Sequence, residues 1–301
     1  MAFYWSGVTD QKGIRGLWLR STPALFVFLW STGFVGAKLG LPHAPPATFL
    51  CLRFLLVIAL MLPLALALRA TWPGTRRQAV HLAVAGVLVH GGYLMGVFSA
   101  IDSGMSAGLA ALIVGLQPLA TGLAAAPLLG ERVTARQWIG LLLGIAGVAL
   151  VVLQKTTVAG LTPFAVTMAV LALASITAGT LYQKRWCGAF DLRTGSVIQF
   201  AAALAVLAPV ALWGETRPVR WTGEFVFALG WLVIVLSIAA ISLLALLIRR
   251  GEATKTVSLF YLTPPVTAVL AWLAFGERFT ALAILGMAVS VVGVAMVTRA
   301  R

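Results

Sequence analysis

Residues 116–152 read LQPLATGLAAAPLLGERVTARQWIGLLLGIAGVALVV, and residues 262–298 read LTPPVTAVLAWLAFGERFTALAILGMAVSVVGVAMVT. Aligned without a gap at an offset of 146 residues, about 14 of the 37 positions are identical, including both Gly-Glu-Arg turns. The same offset pairs Gly33 with Gly179 and Lys38 with Lys184, outside the quoted stretches. The duplicated unit is therefore about half of the chain.

The composition is that of an integral membrane protein. Hydrophobic residues make up 61% of the chain, charged residues 10%, and the mean hydropathy is +1.01. A soluble domain would have too little polar surface at this composition. Ten apolar stretches could each cross about 30 Å of hydrocarbon as a helix. They cover residues 23–41, 47–68, 79–100, 105–128, 134–153, 162–183, 194–213, 225–248, 256–274 and 280–298.

The basic residues predict the side of the membrane that each loop faces. A net charge of +14 could suggest nucleic acid, but basic loops on one side of a membrane protein have a simpler cause in the positive-inside rule. Sixteen Lys and Arg residues fall in the segments predicted to be cytoplasmic and four in the outer loops. We therefore expect both termini in the cytoplasm and no nucleic-acid partner.

The ends of the chain and its cysteines add little to this prediction. Residues 1–22 carry no evident cleaved signal peptide, and we expect a cytoplasmic segment that is either disordered or lies on the membrane surface. Cys51 and Cys187 fall at opposite faces of the membrane, so they cannot pair.

The two repeats are predicted to be inverted. Residues 23–154 hold five spans and residues 162–298 hold five more. Because five is an odd number, the second repeat enters the membrane from the opposite side. The predicted fold is therefore an all-α integral membrane protein with ten transmembrane helices in two inverted five-helix repeats. Exchange of conformation between such halves would open a shared cavity to alternate sides, as in many transporters.

Small residues and prolines mark particular helices. Residues 140–147 follow the pattern GxxxGxxG and residues 286–293 follow GxxxSxxG. This spacing allows close backbone approach, either within the chain or in a homodimer.

Prolines interrupt two of the predicted helices near the middle and should kink them. They are Pro118 in the fourth helix and Pro264 and Pro265 in the ninth. The carbonyl freed by such a kink could face a cavity, or the kink could be purely structural.

Several short motifs follow one another in a fixed order. The first helix contains WSTGFVGAK at residues 30–38, the second contains LRF at residues 52–54, and both Pro segments end in Gly-Glu-Arg before a Gly-rich helix. Their order, duplication and spacing resemble the ten-helix EamA-type members of the drug/metabolite transporter superfamily over nearly the whole chain. Within that family, the sequence is similar to bacterial exporters of aromatic and other amino acids.

The resemblance implies an inner-membrane carrier of small metabolites that works by rocking of the helix 3–4 and 8–9 hairpins around a central cavity. Two departures from the family pattern bear on the substrate. The usual tryptophan of the sixth helix is absent, and Ser175, Ile176 and Thr177 stand there instead. The cluster of cationic residues expected of sugar-phosphate translocators is also missing.

The acidic residues bear on ion coupling. All eight lie in predicted loops or at helix ends, so no carboxylate is predicted at mid-membrane. Proton-coupled export of cationic drugs usually relies on such a buried acid. Export down a substrate gradient without ion coupling is therefore the leading hypothesis, and proton-coupled multidrug efflux is the alternative.

Polar and aromatic residues at mid-depth are candidates for substrate binding. His90 could bind a carboxylate or carry a proton, or it could be a neutral structural imidazole, and Tyr93 lies one turn away on the same face. Aromatic walls with a few polar groups suit a small amphipathic metabolite. The full candidate set is Trp30, Ser31, His90, Tyr93, Gln117, Thr177, Ser237, Tyr261 and Thr263.

Three cations are candidates for gating or for anchoring helix ends. Lys38 and Arg53 lie toward the outer ends of their helices, where long side chains can snorkel to the interface. Lys184 is the copy of Lys38 at the opposite face, which favours a gating or structural role over ligand contact. If Lys38 or Arg53 faces the vestibule, anionic or zwitterionic solutes would be preferred.

The functional prediction is an inner-membrane exporter of amino acids or similar small metabolites. We expect no cofactor and no metal site, and the protein to be a monomer or a homodimer among membrane lipids. An intramembrane lipid-modifying enzyme is the rival from another class, but no H-E-x-x-H, C-x-x-C or nucleotide-binding glycine motif occurs. A passive channel would not need inverted repeats with central prolines.

Overall fold

The computed structural model describes residues 8–129, 134–158, 161–240, 243 and 260–298. These residues form ten helical segments. The segments are α1 (Val8–Gly40), α2 (Pro46–Ala67), α3 (Arg76–Asp102), α4 (Ala107–Val114 followed by Gln117–Leu129), α5 (Ala135–Val158), α6 (Pro163–Cys187), α7 (Leu192–Gly214), α8 (Gly223–Ala240), α9 (Thr263–Phe275) and α10 (Ala281–Thr298).

The predicted fold class is confirmed. Each of the ten predicted spans overlaps one helical segment, and within the described part of the chain six helices are long and apolar enough to cross a membrane. Four shorter apolar helices account for the rest. The helix of α1 begins at Val8, ahead of the predicted span, so residues 8–22 continue α1 rather than forming a separate element.

Side-chain caps explain where several helices begin. Each cap side chain accepts a hydrogen bond from a backbone N–H in the first turn, which satisfies a donor that the helix itself leaves unpaired. The capping residues are Thr75, Ser106, Thr162, Asp191 and Thr222.

Two residues at helix ends carry additional interactions. Asp191 also pairs with Arg193, and hydrogen bonding to that guanidinium lowers the pKa of the Asp191 carboxyl to about 2.

Gly276 ends α9 in the left-handed conformation, with φ of 63°, and its N–H donates to Trp272 O at 2.9 Å. This conformation favours glycine, which explains the first residue of the Gly-Glu-Arg turn.

The helices pack in pairs that respect the sequence repeat. α2 packs against its own copy α7, and α5 packs against its own copy α10. The contact of α1 with α9 has its counterpart in that of α6 with α4, and the contact of α1 with α8 has its counterpart in that of α6 with α3. The two halves are therefore joined by symmetric contacts around a shared centre.

The small-residue patterns of α5 and α10 face each other. A Cβ atom on Gly147 would lie 2.3 Å from Gly286 O, and one on Gly293 would lie 2.5 Å from Gly140 O. Ser290 Oγ donates to Gly144 O at 3.0 Å, and these two residues are 146 positions apart. Of the two alternatives for these patterns, the structure shows packing within the chain.

The surface of the bundle is apolar where lipid is expected. Large side chains such as Leu142, Leu212, Phe227 and Leu273 are exposed on the outside of the helices. A soluble monomer rarely exposes so much continuous apolar surface. Together with the length of the helices, this surface identifies a multi-pass membrane protein.

Candidate functional site

A cavity of about 100 Å³ lies between the two halves of the bundle. Counted from the helix ends predicted to be outside, Arg53 is roughly 10 Å deep and His90 roughly 18 Å deep, so the cavity lies near mid-membrane. α1, α2, α3, α6, α7 and α8 all contribute to its wall. The lining residues are Trp30, Gly33, Phe34, Arg53, Val89, His90, Tyr93, Leu94, Val97, Phe98, Ile176, Phe200 and Leu236.

Arg53 brings a positive charge to this cavity. Its side chain is only 7% exposed, and its Nε and Nη2 atoms donate to Ser237 Oγ at 3.3 and 3.1 Å. The ion pairs found among the described residues do not include Arg53. Sequence reasoning left snorkelling and the vestibule open for Arg53, and the structure places the side chain in the cavity.

Ser237 holds Arg53 from the opposite half of the protein. It belongs to a π-helical stretch over Leu232–Ala240, and its hydroxyl donates to Leu232 O at 3.1 Å. Ser237 therefore connects the backbone of α8 to the guanidinium on α2, although it does not itself line the cavity.

His90 also lies in a π-helical stretch, over Val87–Gly92 of α3. Its imidazole stacks on Phe200 with ring centroids 4.2 Å apart, and its Nε2 atom is 3.2 Å from Gln199 Oε1. Both partners belong to α7, so His90 joins the two halves at the cavity wall. π-helical turns are frequent at functional sites.

Trp30 and Tyr93 complete the polar and aromatic part of the wall. Trp30 packs edge-on against Phe260 with ring centroids 5.2 Å apart, which fixes the indole at the side of the cavity. Tyr93 is 9% exposed and follows His90 by one turn, as the sequence predicts. Trp30, His90, Tyr93 and Arg53 thus meet in one cavity.

The structure places Ser31 and Thr263 outside this cavity. Ser31 is fully buried between α1 and α9, where its hydroxyl donates to Val27 O at 2.7 Å and lies 3.4 Å from Thr263 O. Thr263 is 5% exposed in the same interface. Both residues belong to helix packing in this conformation.

Thr177 and Gln117 are likewise absent from the cavity wall. Thr177 Oγ1 donates to Leu173 O at 2.7 Å in its own helix, a common arrangement for Thr in membrane helices. Gln117 Nε2 donates to Thr180 Oγ1 at 2.9 Å and so links α4 to α6. The side chain of the remaining candidate, Tyr261, lies outside the described residues.

Lys38 and Lys184 occupy different environments. Lys38 Nζ forms an ion pair with Glu277 Oε1 in the turn between α9 and α10 and lies 4.9 Å from the ring centroid of Phe275. The same Glu277 oxygen accepts a hydrogen bond from Ala107 N at 3.3 Å. This contact joins α1, the start of α4 and the α9–α10 turn. Lys184 is exposed.

The prolines mark helix starts within the described residues. Pro118 is the second residue of the second piece of α4, after a break at Gly115–Leu116. Pro264 and Pro265 lie in the first turn of α9, directly after a short 3-10 turn, instead of in the middle of a helix. A proline in this position sacrifices no intrahelical hydrogen bond. The break in α4 packs against the start of α9, because a Cβ atom on Gly115 would lie 2.7 Å from Pro264 Cγ.

Sequence reasoning missed most of the apolar wall. Phe34, Val97, Phe98, Phe200 and Leu236 are ordinary hydrophobic residues in hydrophobic helices, so composition gives no signal for them. The π-helical stretches were missed too. The only sequence hint was the Gly91-Gly92 pair, in which Gly92 allows α3 to approach Ser175 of α6 closely.

Comparison with known proteins identifies the family. Residues 22–153 and 163–299 match the EamA-like transporter family. The chain is 27% identical over 300 residues to the uncharacterized transporter YvbV of Bacillus subtilis, across 91% of this chain and 89% of that protein. It is 26% identical over 275 residues to the uncharacterized inner membrane transporter YedA of Escherichia coli K12, across 91% and 88%.

Two further similarities agree with this result. The chain is 26% identical over 281 residues to a probable amino-acid metabolite efflux pump of Escherichia coli K12, across 89% of this chain and 91% of that protein. A solved structure described as "Crystal structure of protein" has the same fold, with a TM-score of 0.63 at 22% identity, over 91% of this chain and 94% of that one. Because the family matches cover most of the sequence, this chain belongs to the EamA-like transporter family.

Proposed function

We propose that this protein exports amino acids or similar small metabolites across the bacterial inner membrane by alternating access. The observation that carries the proposal is a mid-membrane cavity between the two repeats, lined by aromatic side chains and by the charge of Arg53. Such a wall suits a small amphipathic solute. Similarity to a probable amino-acid metabolite efflux pump supports the same substrate class.

The symmetric packing of the two halves supports a transport cycle by alternating access. We infer that 23–154 and 162–298 act as the two repeats, with residues 1–22 and both termini on the cytoplasmic side. Rocking of the α3–α4 and α8–α9 hairpins would open the cavity to one side and then to the other. His90 and Ser237 make contacts between the halves and would therefore respond to this movement.

Lys38 and Glu277 would form the outer gate. Their ion pair ties α1 and α4 to the α9–α10 turn at the end predicted to be outside. Opening toward the outside would require this pair to separate. Lys184, the copy of Lys38 at the opposite face, is exposed in this conformation and would serve the inner gate in the same way.

The cavity wall favours transport without a proton-binding carboxylate. Within the described part of the chain, none of the lining residues is Asp or Glu, whereas proton-coupled export of cations relies on a buried acid. The imidazole of His90 is held against α7 by Gln199 and Phe200. We therefore favour export down the substrate gradient over proton-coupled multidrug efflux, and transport over intramembrane lipid modification.

Counterflow in proteoliposomes tests the proposal. The purified protein is reconstituted into liposomes loaded with an unlabelled solute, and uptake of the labelled solute is measured for amino acids, phosphorylated sugars and cationic dyes. We expect saturable counterflow of amino acids that is the same with and without a pH gradient. Absence of amino-acid counterflow would overturn the substrate class, and dye uptake driven by the gradient would establish multidrug efflux instead.

A further inference from the structure

Among the described residues, the buried cation Arg53 has fewer hydrogen-bond partners than its chemistry requires. A guanidinium has five N–H donors, and here two of its nitrogens share a single acceptor, Ser237 Oγ. Among the described residues no carboxylate pairs with it. A buried charge without a counter-ion is costly, so an anion that reached this position would be bound strongly.

The remaining wall determines what kind of anion would fit. Around Arg53 the cavity is formed largely by apolar and aromatic side chains, including Trp30, Phe98, Phe200 and Leu236. A dianion such as a phosphate would find no second Lys or Arg among the described residues of this wall. A single carboxylate attached to an apolar body matches both the charge and the lining.

The wall also offers no ionic partner for an amine. Among the lining residues that the structure describes there is no Asp or Glu, and an aromatic face attracts an ammonium group less strongly than a carboxylate would. The amino group of an amino acid would therefore contribute little to binding. The carboxylate would be the group that the protein recognises.

We propose that Arg53 binds the carboxylate of the transported solute and that the cavity selects monocarboxylates with an apolar body, whether or not they carry an amino group. This inference rests on the proposed function, since it assigns a chemical class to the solute in the same cavity. Three probes of similar size distinguish the contribution of the carboxylate from that of the amino group. L-phenylalanine has both groups, phenylpyruvate has only the carboxylate, and phenethylamine has only the amine.

Direct binding to the detergent-purified full-length protein is the first measurement. Labelled L-phenylalanine should be displaced by phenylpyruvate at a similar concentration, while phenethylamine should not compete. Arg53→Gln should weaken phenylalanine binding about 10- to 100-fold, the usual effect of losing a hydrogen bond to a charged group. Arg53→Lys should give a smaller loss, because it keeps the charge but not the forked geometry.

Matched controls separate binding from folding. Arg193→Gln makes the same chemical change at the start of α7, at a residue that does not line the cavity, and should leave binding unchanged. Ser237→Ala removes the partner of Arg53 but keeps its charge, so its effect should be smaller than that of Arg53→Gln. Equal losses in Arg53→Gln and Ser237→Ala would reveal a structural role and overturn the proposal, as would effective competition by phenethylamine.

Binding and transport then distinguish the two proposals. If carboxylates bind in an Arg53-dependent way but no counterflow occurs, the carboxylate site stands and the transport proposal fails. If counterflow occurs but does not depend on Arg53, transport stands and the carboxylate site fails. If no carboxylate binds to the unaltered protein, the site inferred here is wrong.

Discussion

At the scale of single residues, the contacts of Trp30 and His90 predict a transport defect without a folding defect. Trp30→Ala removes one wall of the cavity, and His90→Asn removes the stack on Phe200. We expect each change to slow counterflow about 5- to 10-fold, as for the loss of a contact worth about 1 kcal/mol. The measurement is initial counterflow rate at equal amounts of reconstituted protein.

The control for this prediction preserves the wall. Trp30→Phe keeps an aromatic ring against Phe260 and should retain more activity than Trp30→Ala. Membrane insertion and the melting temperature in detergent should be close to those of the unaltered protein in all three variants. Wild-type counterflow in both Trp30→Ala and His90→Asn would remove these residues from the site.

The sequence could identify some of these residues but not the complete wall. Trp30, His90 and Tyr93 stood out because they are unusual at mid-depth in an apolar helix. Ser31 and Thr177 stood out for the same reason, yet both face neighbouring helices or their own backbone. Depth follows from position along a span, whereas the direction of a side chain depends on rotation about the helix axis. A membrane helix that is apolar on every side gives no polar face from which to read that rotation.

At the scale of helices, the contact between α5 and α10 predicts that Gly147 tolerates no side chain. Gly147→Ala would place a Cβ atom 2.3 Å from Gly286 O and close to Ser290, so the two backbones would have to separate. We expect a loss of about 1–3 kcal/mol of stability, as for overpacking in a core. The measurement is the thermal or denaturant unfolding of purified protein.

A second glycine provides the control. Gly230 lies in α8, and no atom lies within 4 Å of the position that its Cβ would occupy. Gly230→Ala should therefore be neutral or slightly stabilising, since alanine favours a helix over glycine by about 1 kcal/mol. If Gly147→Ala and Gly230→Ala have the same unfolding midpoint, the close approach of α5 and α10 does not determine stability.

The helices themselves were more predictable than their irregularities. Apolar length alone located α2 and α7 to within about two residues, because about 20 residues are needed to cross the hydrocarbon. The break in α4 was anticipated from Pro118, since proline cannot continue the hydrogen-bond ladder. The π-helical stretches of α3 and α8 were not predicted, because about one extra residue per turn leaves the hydrophobic composition of the helix unchanged.

At the scale of the whole molecule, the Lys38–Glu277 pair predicts a shift between outward-closed and outward-open conformations. An ion pair worth about 1 kcal/mol changes the ratio of two conformations about fivefold. The reporter is Val97→Cys, a cavity position, in a protein that lacks Cys51 and Cys187. Lys38→Met should increase the labelling of this cysteine by an impermeant thiol reagent added from outside. The charge-reversed pair Lys38→Glu with Glu277→Lys should restore the original labelling. Unchanged labelling in Lys38→Met would exclude the pair as an outer gate.

The inverted repeat predicts that equivalent turns of the two halves lie on opposite sides of the membrane. Arg132 and Arg278 are equivalent under the 146-residue offset. In the same background, Arg278→Cys should react with an impermeant maleimide in intact spheroplasts, whereas Arg132→Cys should react only in inside-out vesicles. Since each half has five spans, labelling of both positions from one side would require an even number of crossings between them. That result would contradict the inversion, and with it the alternating access that the shared cavity suggests.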